Sequence, residues 1–187
     1  MMQVKGSPIQ GPTILLWSGQ YFDFLNPEES LFTIQDIAHG LSNICRFGGQ
    51  SHSFYSVAQH SVYVSHLVPL EHRYAALMHD AAEAFVGDVP RPLKRLLRDY
   101  REIEARVEAV IAERFRFPLE KHALIKAADN AMLAAEQIQL MRNRDGWSDT
   151  KNVQAAGIVI DPWPPLKARD EFLSRYNFLI QEGCRHA

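Results

Sequence analysis

The stretch ALMHDAAEAFVGDVPRP, residues 76–92, places His79, Asp80 and Glu83 in an alanine-rich run typical of a helix. Successive helical residues are about 100° apart, so these three side chains project on one side. The opposite side is apolar and carries Tyr74, Leu77, Met78, Ala81 and Phe85. An imidazole and two carboxylates on one face suit metal binding and proton transfer. The alternative is a polar face that meets only water.

Two further polar residues, His60 and Asp129, interrupt apolar stripes on other predicted helices. Their apolar neighbours are Val57, Val64 and Leu67 for the histidine, and Ile125, Met132 and Leu133 for the aspartate. A buried carboxylate is costly unless it pairs or binds a metal. A core histidine that is merely hydrogen-bonded, and an aspartate paired with Lys126 or accepting a helix-cap bond, are the structural alternatives. With His79 and Asp80, these residues form a nitrogen and oxygen set that suits a divalent transition metal with water in the open positions.

Four segments carry a resemblance to a known family: NICRFGG (43–49), FYSVAQHSV (54–62), MHDAAEAFVGDVPRPLK (78–94) and IKAADNAML (125–133). Their order of His, then His-Asp, then Asp resembles the HD-domain metal-dependent phosphohydrolases, and most closely the 5′-deoxynucleotidase-like branch with its small bacterial, prophage and phage members. The resemblance spans residues 33–142. It implies that His60, His79, Asp80 and Asp129 are the metal ligands. It favours Mn²⁺ or Co²⁺, while Mg²⁺, Zn²⁺, Ni²⁺ and Fe²⁺ remain compatible.

The resemblance also implies contacts to a nucleotide substrate. Arg46 is expected to clamp the phosphate, although a surface arginine near a helix end is a close alternative. Phe47 is expected to stack on the base or sugar, in a place where well-known members carry tryptophan. Lys94 is a candidate second phosphate contact. His52 precedes the helix of His60 and is expected to line the pocket rather than bind the metal.

Two carboxylates are the candidates for proton handling. Glu83 is expected to orient water or to protonate the leaving oxygen. Asp88 is expected to face substrate or water, and its alternative is a turn-forming aspartate before a proline segment. The remaining histidines are expected to have surface or packing roles; they are His39, His66, His72, His122 and His186.

The function that the resemblance implies is divalent-metal-dependent hydrolysis of phosphate from deoxynucleotides, most closely as a 5′-deoxynucleotidase. A deoxynucleoside triphosphate hydrolase would use the same metal site. A two-metal phosphodiesterase is disfavoured, because it needs two further histidines between residues 80 and 129, and only His122 lies there. A non-catalytic nucleotide-binding or regulatory module and a protein with a structural metal are the alternatives of another class.

The elements that must position these residues are helices. The sequence predicts an all-α bundle of about six helices with a small N-terminal β-hairpin at 13–24, broken at Ser18-Gly19. The resemblance implies that this bundle is an HD domain. The predicted helices are one from 33 that ends before Gly48-Gly49, then 54–67, 70–86, 99–115, 119–142 and 166–182. We expect one domain over residues 1–187, with its core at 33–142. In its C-terminal part, 143–187, the segment 143–165 is predicted to be a long loop with one short strand at most.

Composition narrows the function classes. The 187 residues carry a net charge of −2, which leaves no electrostatic footprint for nucleic acid or an anionic membrane. The two cysteines form no disulfide framework or zinc pair, and no signal peptide or membrane span is visible. We therefore expect a cytoplasmic protein, bacterial or in the host of a phage. It is expected to be a homo-oligomer, dimer or larger. The last helix, with Phe172, Tyr176, Phe178 and Leu179, is expected to join the core rather than form the contact surface.

Overall fold

The structure is a computed structural model and describes residues 11–184. Strands β1 (Thr13–Leu15) and β2 (Tyr21–Asp23) form an antiparallel hairpin. The α-helices are α1 (Ile34–Asn43), α2 (Val57–His66), α3 (Arg73–Met78), α4 (Glu83–Val86), α5 (Arg91–Lys94), α6 (Arg98–Phe115), α7 (Ala123–Leu140) and α8 (Pro165–Gln181). In this described part of the chain, three short 3₁₀ helices cover Pro27–Glu29, Arg46–Gly49 and Leu70–His72. The mostly helical fold and the N-terminal hairpin confirm the sequence prediction at this level.

The hairpin and α1 are joined by one carboxylate. Gly19 adopts a positive φ of 85° in the turn after Ser18, as the predicted break requires. Asp36, in the first turn of α1, accepts hydrogen bonds from the backbone N–H of Ser18 and of Thr33, both at 2.9 Å. The N-terminus of α1 is thus capped and the hairpin turn is tied to it.

The prediction of one continuous helix over 70–86 is wrong. This segment begins with the 3₁₀ helix Leu70–His72 and continues as α3 to Met78. It then turns through 79–82 and becomes helical again as α4. Within the turn, Ala81 N–H donates to Met78 O and Glu83 N–H to Asp80 O, which are i to i−3 bonds. Such tight turns inside a helix often mark functional segments. Gly87, at φ 83°, ends α4 as predicted.

Other boundaries differ from the predictions in physically simple ways. The first helix stops at Asn43 rather than near Gly48, because the chain turns through the 3₁₀ helix Arg46–Gly49. The sequence does not predict the short α5, because Pro90 directly precedes it and Pro92 is one of its four residues. The helix predicted over 119–142 begins at Ala123, as α7. His122 is its N-cap, and the side chain of His122 accepts from the Leu124 N–H. No strand forms in 143–164, so this described segment is entirely turns and irregular chain.

Two clusters of buried residues form the core of the described chain. The larger one joins the hairpin and helices α1, α2, α3, α4, α6 and α8, and the smaller one lies between α2, α3, α7 and the segment near Ile160. Phe172 and Leu179 of α8 are fully buried, which confirms the expected core role, whereas Phe178 is exposed. Cys45 and Cys184 are both free. Among residues 11–184, none of the helices has the length and apolar character that crossing a membrane requires.

Candidate metal-binding site

Three helices bring polar side chains to one point in the bundle. His60 comes from the middle of α2, His79 directly follows α3, and Asp129 lies in the second turn of α7. One ligand atom from each lies within 4.8 Å of the others. His60 is fully buried and His79 nearly so, while Asp129 is half-buried. The three residues predicted to be ligands from separate helices are therefore together in space.

Glu136 holds the ring of His60. Its Oε1 accepts from Nδ1 of His60 at 2.6 Å, and neither side chain has any exposed surface. Its Oε2 accepts from Nε and Nη2 of Arg46 at 3.2 and 3.0 Å. Burial raises the pKa of Glu136, but the charges of Arg46 and His60 outweigh burial and keep that pKa below its usual value. The ionised carboxylate therefore fixes the Nδ1–H tautomer and turns Nε2 toward Asp129.

A backbone carbonyl group fixes the ring of His79 in a similar way. Its Nδ1 lies 2.7 Å from the carbonyl oxygen of Ala76, which can only accept, so Nδ1 carries the proton. Among residues 11–184, Nε2 of both histidines is buried and finds no hydrogen-bond partner. Carboxylate oxygens nevertheless lie close: Asp129 Oδ1 is 3.1 Å from Nε2 of His60, and Asp80 Oδ2 is 3.0 Å from Nε2 of His79.

This arrangement fits a divalent metal ion. Both imidazoles present an unprotonated Nε2 once neutral, and ionised carboxylates face them. Burial and the charge of Arg46 lower the pKa of His60, but Glu136 and Asp129 outweigh them and raise it to about 9. A cation bound at Nε2 must compete with that proton. His60, His79 and Asp129 are the residues that could hold the ion, with Asp80 beside them.

Asp80 completes the charge cluster at one side of these residues. Its Oδ2 lies 3.9 Å from Nε2 of His60 and 4.0 Å from Nη1 of Arg46, and Lys121 donates to its Oδ1 at 3.3 Å. Burial opposes ionisation, yet the charges of His79 and Lys121 hold the pKa of Asp80 well below its usual range. Lys121, which sequence reasoning missed, is thus a cation paired to a predicted ligand.

Asp129 is paired with an arginine from α5. Nη2 of Arg91 donates to its Oδ2 at 2.7 Å, while its Oδ1 faces His60. Burial raises the pKa of Asp129, but the nearby Nε2 of His60 and the positive charges of the two histidines outweigh burial and lower that pKa. The alternative pairing with Lys126 is therefore replaced by a long-range pair with Arg91.

Glu83 and Asp88 form the acidic wall next to Asp80. Glu83 is only 8% exposed, and its Oε2 has no hydrogen-bond partner among the described residues. Burial and the neighbouring carboxylates of Asp80 and Asp88 raise the pKa of Glu83 well above its usual value. Burial also raises the pKa of the half-buried Asp88, although the charge of Arg46 opposes this rise. Glu83 is therefore a carboxylic acid that keeps its proton where an exposed glutamate would lose it.

Arg46 lies between Glu136 and Asp80 and is only 8% exposed. Its Nε and Nη2 edge is bound to Glu136, so Nη1 is the nitrogen that faces Asp80. Phe47 adopts a left-handed backbone at φ 60°, which is costly for a bulky side chain. Its ring lies 5.4 Å from the Arg46 guanidinium and 5.9 Å from the ring of Trp147. The expected roles in phosphate and base binding stay predictions.

The two remaining predicted substrate contacts are held by other groups. Lys94 donates to Glu104 at 2.7 Å and lies 5.7 Å from the ring of Tyr100. His52 is exposed, and its ring nitrogens bond to Ser53 and to the carbonyl of Gln139, so neither bond goes to a candidate ligand. Its position before α2 agrees with the prediction.

The other histidines in the described part of the chain take packing or surface positions. His39 stacks on Trp17 at 5.4 Å, and His72 stacks on His122 at 4.1 Å. His66 is exposed at the end of α2. These placements agree with the sequence expectation, while His186 lies outside the described residues.

Comparison with known proteins places the chain in a family. It is 43% identical over 163 residues to a protein of Escherichia coli described as uncharacterized protein YfdR, covering 86% of this chain and 90% of that protein. It is 34% identical over 183 residues to uncharacterized protein RCAP_rcc00048 of Rhodobacter capsulatus, covering 88% and 93%. The sequence matches no family model. The chain belongs to the same family as these two relatives.

Proposed function

We propose that this protein is an HD-domain phosphohydrolase that uses a divalent metal ion to remove phosphate from deoxynucleotides, acting as a 5′-deoxynucleotidase. One observation carries the proposal: Nε2 of His60 and of His79 converge on Asp129 and Asp80 while both Nδ1 atoms are already bound. Such rings are prepared to bind a metal rather than to donate hydrogen bonds. The order of these residues along the chain is that of the HD-domain signature.

The residues of the chain divide the work of phosphate-ester cleavage. A bound divalent ion supplies a Lewis acid for phosphate oxygens and an acidified water. His60, His79, Asp80 and Asp129 would hold it. Glu83, whose pKa is raised by burial and by its acidic neighbours, can give its proton to the leaving oxygen. A protonated carboxyl at this place is the group that an alkoxide leaving group needs.

Charge around the site agrees with a phosphate substrate. Arg46, Lys94 and Lys121 all lie near the acidic cluster, and the first two act on the pKa values of Glu83 and Asp88. Stabilising charge on the equatorial oxygens is the main catalytic task in phosphoryl transfer. Phe47 and Trp147 place aromatic surface beside Arg46, where a base could stack.

The test is turnover on a panel of deoxynucleoside mono-, di- and triphosphates with Mn²⁺, with products separated by chromatography. Nucleoside formed from monophosphates alone establishes the 5′-deoxynucleotidase. Tripolyphosphate or stepwise phosphate release from a triphosphate instead defines a triphosphate hydrolase. Asp80→Ala should abolish turnover, whereas Asp99→Ala, at an exposed position of α6, should retain it. Metal binding without turnover on any substrate would contradict the proposal.

A further inference from the structure

Arg91 reaches the candidate metal site from α5, a helix that the sequence did not predict. Its Nη2 donates to Oδ2 of Asp129 at 2.7 Å and its Nη1 to Oδ1 of Asn130 at 3.3 Å. A third acceptor, Oδ2 of Asp149, lies 3.7 Å from Nη1. Acceptors on α7 and on the following loop therefore fix the plane of this guanidinium at the edge of the site.

Arg91 keeps donors for a further anion. Its side chain is 46% exposed, and within residues 11–184 its hydrogen bonds use Nη1 and Nη2, which leaves Nε–H and two further N–H groups. Arg46 differs, because its side chain is 10% exposed and one whole edge of its guanidinium is bound to Glu136. Of these two arginines, Arg91 is the one that a substrate can reach from solvent.

We propose that Arg91 is a substrate-binding residue that holds the phosphate group of a phosphate ester at the metal site. The inference rests on the proposed function for the identity of the ester, but the binding of a phosphate group is a separate claim. Asp129 presents one oxygen toward His60 and the other to Arg91, so the guanidinium of Arg91 lies next to a candidate metal ligand. An anion bound beside the metal would therefore lie close to this guanidinium. Charge-assisted bonds from a guanidinium match phosphate geometry better than those of an ammonium.

The chain offers a matched control on the same short segment. Arg95 follows Arg91 by one helical turn, and its Nη2 lies 3.5 Å from the same Asp149. Arg95 is 66% exposed and has no contact with Asp129 among its ion pairs. Replacing either arginine by alanine removes one positive charge and one contact to Asp149. Only the change at Arg91 removes the guanidinium next to the candidate ligand.

Calorimetric titration of inorganic phosphate into the protein saturated with Mn²⁺ tests the proposal, with Mn²⁺ affinity first measured for every variant. Arg91→Ala should weaken phosphate binding about tenfold or more at saturating metal, since a hydrogen bond to a charged group is lost. Arg91→Lys, which keeps the charge and loses the fork, should fall between Arg91→Ala and wild type. Arg95→Ala should bind phosphate within about twofold of wild type, the scatter expected for an exposed charge.

Three results would overturn the proposal. They are an unchanged phosphate affinity in metal-saturated Arg91→Ala, an equal loss in Arg95→Ala, and no phosphate binding by the metal-loaded wild type. A loss of Mn²⁺ affinity alone would mean that Arg91 only positions Asp129. The proposed hydrolysis is tested separately. If Arg91→Ala loses phosphate binding while the wild type turns over none of the nucleotides, this inference is kept and the proposed activity is rejected.

Discussion

Glu136 fixes the tautomer and the orientation of His60. A carboxylate with no exposed surface between His60 and Arg46 is tolerable because it is paired on both oxygens. Sequence reasoning found His60 and Asp129 because they interrupt apolar stripes, but it missed Glu136. The signal was present: Glu136 follows Asp129 by seven residues, two turns of one helix, and so lies on the same face. Its role could not be read from α7 alone, since both of its partners lie far away in the sequence.

At the residue scale, Glu83→Gln separates proton transfer from metal binding. The amide keeps the shape of the side chain but cannot donate a proton in the manner of a carboxylic acid. We expect kcat to fall by about 10²–10⁴, the usual contribution of a general acid, with Mn²⁺ affinity retained. Measurement of steady-state kinetics and of metal affinity on the same preparation checks this. Unchanged kcat would remove Glu83 from the reaction.

The raised pKa of Glu83 also predicts the pH dependence of stability. Because burial and the carboxylates of Asp80 and Asp88 raise its pKa in the folded state, folding favours the protonated form. The stability that it contributes is complete below its unfolded pKa and is lost as pH rises through the raised value. Urea unfolding with a chelator present should therefore show wild type losing more stability toward alkaline pH than Glu83→Gln. Parallel curves would contradict the shift.

At the element scale, the break in the helix that carries His79 was not predictable from periodicity. Residues 76–86 have the composition of one helix, and Gly87 ends it as expected. What the pattern cannot encode is the close approach of α1, whose Gly40 lies directly against Ala84. Tertiary packing thus overrides local propensity at the turn between α3 and α4. For the same reason the sequence does not predict α5, whose position depends on bonds of Arg91 and Lys94 to other helices.

Gly40→Ala tests that close approach. A Cβ at this position would lie 2.9 Å from both the Cβ and the carbonyl oxygen of Ala84, and backbone cannot rotate away. Helix propensity gains about 1 kcal/mol, while overpacking costs about 1–3 kcal/mol, so we expect a net loss of unfolding free energy. Because Glu83 precedes Ala84, kcat should fall as well. Denaturant unfolding and steady-state kinetics give the two readouts.

Gly157→Ala is the matched control for Gly40→Ala, since a Cβ there meets nothing within 4 Å. It should leave the unfolding free energy within about 0.5 kcal/mol of wild type. A Gly40→Ala protein as stable and as active as this control would show that α1 and α4 can separate without cost.

At the scale of the whole molecule, glutamines attach the irregular segment 143–164 to the bundle. Gln139 of α7 donates to Ile158 O at 2.8 Å and accepts from Ile160 N–H at 2.9 Å. Gln137 accepts from Thr150 Oγ1 at 3.1 Å. Gln139 thus satisfies backbone groups that no strand or helix satisfies, and Gln137 binds the side chain of Thr150. The sequence therefore correctly indicated a loop, but its path follows from side-chain bonds that no periodic pattern announces.

Gln59 is the anchor of this kind on α2, and its replacement gives the last prediction. It is fully buried, donates to Asp161 O at 2.7 Å and accepts from Trp163 N–H at 2.9 Å. Gln59→Leu keeps the volume but leaves these groups unpaired, so we expect a loss of about 1–3 kcal/mol. Hydrogen exchange should quicken at residues 158–164. The exposed Gln154→Leu should change neither quantity, and equal behaviour of the two variants would mean that apolar packing alone holds the loop.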